Sequence, residues 1–253
     1  MHWDPQQYSR YADHRGRPFL DLVGRVGASA PRRVVDLGCG PGTLTALLTE
    51  RWPSAEVEGI DSSPDMIAAA PAGERLSFRV GDVTEWDPAG TDVIVSNATL
   101  QWVPTHRELI ARWAAALPAG GWLALQVPGN FGSASHTLMR ALADSPRWAS
   151  SLAGVLRHDD AVRTPEEYAE LLLAAGLRAD VWETTYLHVL TGADPVLEWL
   201  RGTGLRPVMQ ALPPASYAEF EEEFAAQLRQ AYPASARGTL FPFRRIFAVG
   251  ARE

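Results

Sequence analysis

Four segments in the first half of the chain follow apolar runs and carry residues able to do chemistry: Asp36-Leu37-Gly38-Cys39-Gly40-Pro41-Gly42, Asp61-Ser62-Ser63-Pro64, Gly81-Asp82-Val83 and Ser96-Asn97-Ala98. Glycines after a strand let the backbone turn sharply and approach a ligand. A helix starting there points free N–H groups at that ligand. A dinucleotide enzyme uses G-x-G-x-x-G at this place for a pyrophosphate. Here the spacing is G-x-G-x-G and Asp36 precedes it, which disfavours a pyrophosphate and favours an ammonium group. Asp61 offers two oxygens for the two hydroxyls of a ribose. Asp82, with the Val83 backbone, suits an adenine amino group, and equally suits an Asx-turn with its own chain. Asn97 and Ala98 fall where cofactor and substrate would meet, although Asn97 also suits a plain turn. Cys39 reads as a small filler, since no base is evident near it.

An ammonium, a ribose and an adenine together describe S-adenosylmethionine. The expected cofactor residues are Asp36, Gly38, Cys39, Gly40, Gly42, Asp61, Ser62, Met66, Asp82, Val83, Asn97 and Ala98. A nicotinamide oxidoreductase shares the Asp61 feature but not the Asp36 and Gly40-Pro41-Gly42 arrangement. A catalytically silent binding module would not need the full set.

The elements that position these residues follow from periodicity. Arg33–Leu37 reads as a buried strand, and Glu56–Asp61, Leu76–Val80, Asp92–Ser96 and Trp122–Val127 read as further strands. Leu44, Leu47 and Leu48 recur at helical spacing, as do Leu109, Ile110, Trp113 and Leu117, and Ser63-Pro64 reads as an N-cap followed by a first-turn proline. This βαβ rhythm predicts a parallel sheet with helices on both faces. Farther on, Thr164 and Glu167 form a capping box, Ala179–Tyr186 reads as a sixth strand and Arg245–Ala251 as a last one. Between these two, residues 194–232 read as helical, with a second capping box at Ser216 and Glu219, an apolar face of Phe220, Phe224 and Leu228, and Glu219–Glu223 as a solvated face. That stretch is too long for an ordinary loop.

The net charge of −7 and the absence of a basic run argue against a nucleic-acid partner. With one cysteine no intrachain disulfide can form, and a reducing, cytoplasmic setting is expected. No signal peptide and no membrane span are expected. The histidines show no metal-ligand spacing, so no metal site is expected.

The succession D-L-G-C-G-P-G, G-I-D-S-S-P-x-M-I, G-D-V and S-N-A-x-L-Q-W resembles class I methyltransferases and, more narrowly, the trans-aconitate methyltransferases. The narrower likeness runs from Trp3-Asp4-Pro5 and Tyr8 through Leu100-Gln101-Trp102, Trp182-Glu183-Thr184-Thr185-Tyr186 and Thr203-Gly204-Leu205-Arg206-Pro207 to Arg245-Ile246-Phe247. It implies an α/β, Rossmann-like class I methyltransferase fold: a mostly parallel seven-stranded sheet with helices on both faces and a helical cap. One methyltransferase domain over 1–253 is expected, with an N-terminal lid over about 1–30 and cap elements near 129–160 and 188–240. The implied reaction is methyl-ester formation on a carboxylate of trans-aconitate; the alternative is another small or carrier-bound carboxylic acid. A carboxylate is ionised at neutral pH, so no general base, and hence no catalytic residue in the strict sense, is required. Arg206 and Arg245 are the expected clamps for the remaining carboxylates, with Trp102 and Tyr186 as walls, Gln101 as an orienting amide, and His14 and Arg15 in the lid. A small tricarboxylate is thus the expected partner, and a monomer is compatible with the sequence.

Overall fold

Alternation of β-branched, buried runs with helices sets the architecture. The computed structural model describes residues 12–253 and, within them, the side chains of 16–253 other than that of Asp159. Helix α1 (Ala12–Val23) leads to β1 (Arg33–Leu37), α2 (Thr43–Arg51), β2 (Glu56–Asp61), α3 (Pro64–Ala68), β3 (Leu76–Val80), β4 (Val93–Asn97), α4 (His106–Ala116) and β5 (Trp122–Pro128). There follow α5 (Ala134–Ala143), α6 (Ala149–Leu152), α7 (Pro165–Ala174), β6 (Arg178–Leu190), α8 (Pro195–Arg201), α9 (Arg206–Ala211), α10 (Pro214–Ala231), β7 (Ala234–Ser235) and β8 (Gly238–Ala251).

The sheet order is β3-β2-β1-β4-β5-β8-β6, with the short β7 on β8. The pairs β1–β2, β2–β3, β1–β4 and β4–β5 are parallel and β5–β8 is antiparallel. This is a Rossmann-like, mostly parallel sheet. Strand order reverses at β1, between β2 and β4, and such a switch point opens a crevice beyond the carboxyl ends of the strands.

The chain forms two compact units, 1–128 with 162–184 and 245–253, and 129–161 with 185–244. In the first, β1, β4 and β5 are buried through Val34, Val35, Val93, Ile94, Leu123 and Leu125, and Ile110 and Trp113 of α4 are buried too. In the second, Phe220, Phe224 and Leu228 form the buried stripe of α10, and Trp148 meets Phe220 edge-on at 5.5 Å. Trp199, Phe241, Phe243 and His188 make a second aromatic cluster there.

The Ser63 cap and the Thr164–Glu167 capping box form as the sequence predicts. The second box does not. Helix α10 begins at Pro214 with Pro213 as its cap, so Ser216 lies inside it. A proline forces the residue before it out of the helical region and suits the first helical position, so the Pro213-Pro214 pair starts the helix two residues before the serine. Strands β6 and β8 are also longer than the sequence suggests, reaching Leu190 and starting at Gly238. Among the described residues no helix is long and apolar enough to cross a membrane.

Candidate active site

Beyond the carboxyl ends of β1, β2 and β4 lies a cavity of about 390 Å³ in the first unit, within the range of small-molecule sites. Of the expected cofactor residues, Gly38, Gly40, Asp61, Ser62, Met66, Asp82, Val83, Asn97 and Ala98 line it, and so does Trp102. Thr84, Thr99, Val103, Pro104 and Thr105 complete the wall and were not singled out by sequence. Their only signal was adjacency to the motifs.

The glycine loop is built for close approach. Gly40 has φ 56° and a Cβ placed there would meet nothing within 4 Å, so the backbone faces open space. A Cβ at Gly38 would collide with the Thr99 side chain. Thr99 Oγ1 in turn donates to the Gly38 carbonyl at 3.3 Å, so the loop after β4 is stitched to the loop after β1.

Asp61 is fixed by two backbone donors. Gly40 N–H donates to Oδ2 and Ser63 N–H to Oδ1, both at 2.9 Å. Each oxygen keeps a lone pair for a further donor. Asp82 makes the Asx-turn, its Oδ1 accepting from the Thr84 N–H and hydroxyl at 2.8 Å, and the residue also lines the cavity.

Asp36, Cys39 and Gly42 are not on the wall. Asp36 is buried, and Oδ2 accepts from Thr45 Oγ1 at 2.6 Å. Burial, and secondarily the charge of Asp61, push its carboxyl up to about 7. The Cys39 thiol is also pushed up by burial and by Asp36 and Asp61, which opposes a nucleophilic thiolate. Gly42 caps α2 at φ 71°, where a side chain would strike Phe78.

Ala98 takes φ 57°, unusual for a residue with a side chain. Its N–H donates to Gln126 O at 2.9 Å and its carbonyl accepts from Gln101 Nε2 at 2.6 Å. Gln101 is therefore buried against backbone and off the wall. Such strain persists where surrounding contacts over-determine it, commonly at functional sites. The Asn97 Oδ1 is buried with no hydrogen-bond partner among the described residues.

Arg245 is buried in the first unit and donates to Gln126 Oε1 at 3.3 Å. Tyr186 and Arg206 belong to the second unit, both buried, with Tyr186 stacked on His188 at 6.4 Å. Helix α1 contains His14 and Arg15, but their side chains, and the segment Trp3–Tyr8, lie outside the described residues. No cluster of metal-ligating side chains occurs among the described residues.

The sheet with its switch-point cavity defines a Rossmann-like methyltransferase, and the methyltransferase-domain family profile matches residues 10–180. The YcgJ protein of Bacillus subtilis has the same fold at TM-score 0.58 and 16% identity, over 94% of this chain and 99% of that one. A Haemonchus contortus phosphoethanolamine N-methyltransferase 2, solved in complex with S-adenosyl-L-methionine, superposes at TM-score 0.54 and 16% identity; the match takes in 94% of this chain and about half, 53%, of that one. Sequence narrows the class: a Streptomyces avermitilis protein named trans-aconitate 2-methyltransferase is 56% identical over 99% of this chain and 97% of its own length. This chain belongs to the trans-aconitate 2-methyltransferase family.

Proposed function

We propose that this protein transfers the methyl group of S-adenosylmethionine to a carboxylate of trans-aconitate, forming a methyl ester. One observation carries the reading: the 56% identity runs over 99% of the chain and so reaches beyond the cofactor cavity into the segments that would choose a substrate.

The cavity residues fit the cofactor. Open space at Gly40, the two pinned oxygens of Asp61 and the unpartnered Asn97 Oδ1 match a backbone-hugging ligand with a diol and a positive end. Asp61 would hold the ribose, Asp82 and Val83 the adenine, with buried Met66 on the wall beside Ser62. Asp36, buried and off the wall, would favour the ammonium electrostatically. S-adenosylmethionine supplies an electrophilic methyl group on a sulfonium.

The chain's own work is positioning. The acid is an anion without help from a base, so the residues need only hold it in line and exclude water. Arg206 and Arg245 would hold the carboxylates that do not react, with Trp102 and Tyr186 shaping the pocket, Gln101 acting only through the Ala98 carbonyl it binds, and His14 and Arg15 contributing from the N-terminal lid. Residues near 129–160 and 188–240 would act as the cap of a single methyltransferase domain. A monomeric, cytoplasmic enzyme completes the reading.

The test is methyl transfer from labelled S-adenosylmethionine to trans-aconitate, cis-aconitate, citrate and isocitrate. Base-labile label on trans-aconitate well above the others is expected. Transfer to another acid instead, or to none while cofactor still binds, would remove the substrate assignment.

A further inference from the structure

Gln126 is a polar residue in an otherwise apolar strand. It follows Leu123, Ala124 and Leu125 on β5, precedes Val127, and is 1% exposed. Its Oε1 accepts from the Arg245 guanidinium at 3.3 Å. Arginine only donates, so this contact fixes which end of the amide is which. The Nε2 end is then a buried donor, and it has no hydrogen-bond partner among the described residues. Leaving such a buried donor unmade is destabilising, a penalty an apolar side chain at this place would avoid.

The residue paired with Gln126 across the parallel ladder is Asn97, on the same face of the sheet. Asn97 lines the cavity, with Gln126 one strand beyond it and off the wall, and Asn97 carries the opposite deficiency, a buried acceptor without a donor. Two such amides satisfy each other when nothing else is meant for them; here neither does. The polarity is instead sorted by strand. At the end of β4 an acceptor oxygen suits a cation. On β5, with Arg245 of β8 beside it, donors suit an anion. Those are the two charges brought together when a carboxylate meets a sulfonium.

We propose that Gln126 is a substrate-binding residue that donates from Nε2 to a carboxylate of the acid while its Oε1 holds Arg245 alongside. This inference rests on the methyl-ester reading above and adds to it the residue that pairs with Arg245. The test compares wild type, Gln126→Glu and Gln126→Met in steady-state methyl transfer, together with S-adenosylhomocysteine binding and thermal stability. Gln126→Glu replaces the donor with a carboxylate that repels the acid and ties up Arg245; KM for the acid rises about 100-fold. Gln126→Met keeps the size and removes the donor; KM rises about 10-fold. In both, KM for S-adenosylmethionine and binding of S-adenosylhomocysteine stay within about threefold of wild type. If Gln126→Glu does not fold, Gln126→Met decides. An unchanged acid KM in the variants, or a parallel rise in both KM values as a structural role would give, overturns the inference while wild-type transfer still stands. A wild-type chain that methylates none of the acids sinks the reading itself, and this inference with it, and is told apart by that control.

Discussion

The cavity wall of the first unit and the body of the second hold carboxylates in opposite ways, whereas away from its cavity the first unit also uses arginines, Arg33 and Arg79 on Glu58. In the first, Asp61 and Asp82 on the cavity wall are held by backbone N–H groups and a threonine hydroxyl, donors that carry no net charge. In the second, carboxylates are paired with arginines: Glu219 and Glu223 with Arg147, Glu198 and Glu221 with Arg201, and Asp194 with Arg229 at 2.7 Å and 2.8 Å. A neutral clamp fixes a carboxylate without cancelling its charge, so it remains available to a ligand's hydroxyls or cation. An arginine cancels the charge and turns the group into a structural tie. The difference separates recognition from scaffolding without reference to motif.

The contrast is broken most directly at Asp61. Asp61→Ala removes both acceptors offered to the ribose and leaves Gly40 N–H and Ser63 N–H without their partner; affinity for S-adenosylhomocysteine in calorimetry should fall about 100-fold or more. Arg206→Ala probes an arginine of the second unit outside those surface ties. It is expected to raise KM for trans-aconitate about 10- to 100-fold, leaving KM for S-adenosylmethionine unchanged; unchanged acid kinetics would take Arg206 out of the site.

Asp36 sharpens the comparison through pH. Burial raises its carboxyl to about 7 from an ordinary 3.8, so the folded state holds the proton more tightly than the unfolded chain. Its contribution to stability is complete below pH about 4 and is lost as pH climbs to 7. Asp36→Asn keeps an acceptor for Thr45 and never ionises. The variant's Tm should stay flat from pH 5 to pH 8, ending several degrees above wild type at pH 8. Wild-type affinity for an ammonium-bearing ligand should increase with pH through about 7 and the variant's should not, with a loss of about 10-fold at pH 8.

The smallest effect belongs to the ties. Arg201→Met removes the pairs to Glu198 and Glu221 on a part-exposed side chain, and solvent screening holds the loss to about 1 kcal/mol in denaturant unfolding. Cofactor affinity should not move.

What could be read from sequence was whatever is encoded locally. Each parallel strand announced itself by a short run with apolar residues, and each cavity loop by the small and acidic residues that follow it, so most of the cavity wall was legible before any coordinates. Local signals failed where two competed. Ser216 and Glu219 have the spacing of a capping box, but Pro213-Pro214 begins the helix first. Glu219–Glu223 looks like a solvated face because its arginines come from distant segments. Gln126 was in plain view as a polar residue in a buried run, but only Arg245, more than a hundred positions away, reveals which of its atoms is unsatisfied.

The collision that a side chain at Gly38 would have with Thr99 carries a lesson for anyone diversifying this enzyme. The two positions are 61 residues apart yet meet in one volume, so a library that randomises position 38 will return almost only glycine. Shrinking position 99 to alanine does not open the way, because the Cβ of residue 99 itself would lie 2.6 Å from a Cβ at position 38 and Gly38 holds φ 79°; the glycine is fixed by two independent constraints, and diversity at this corner must come from position 99 alone.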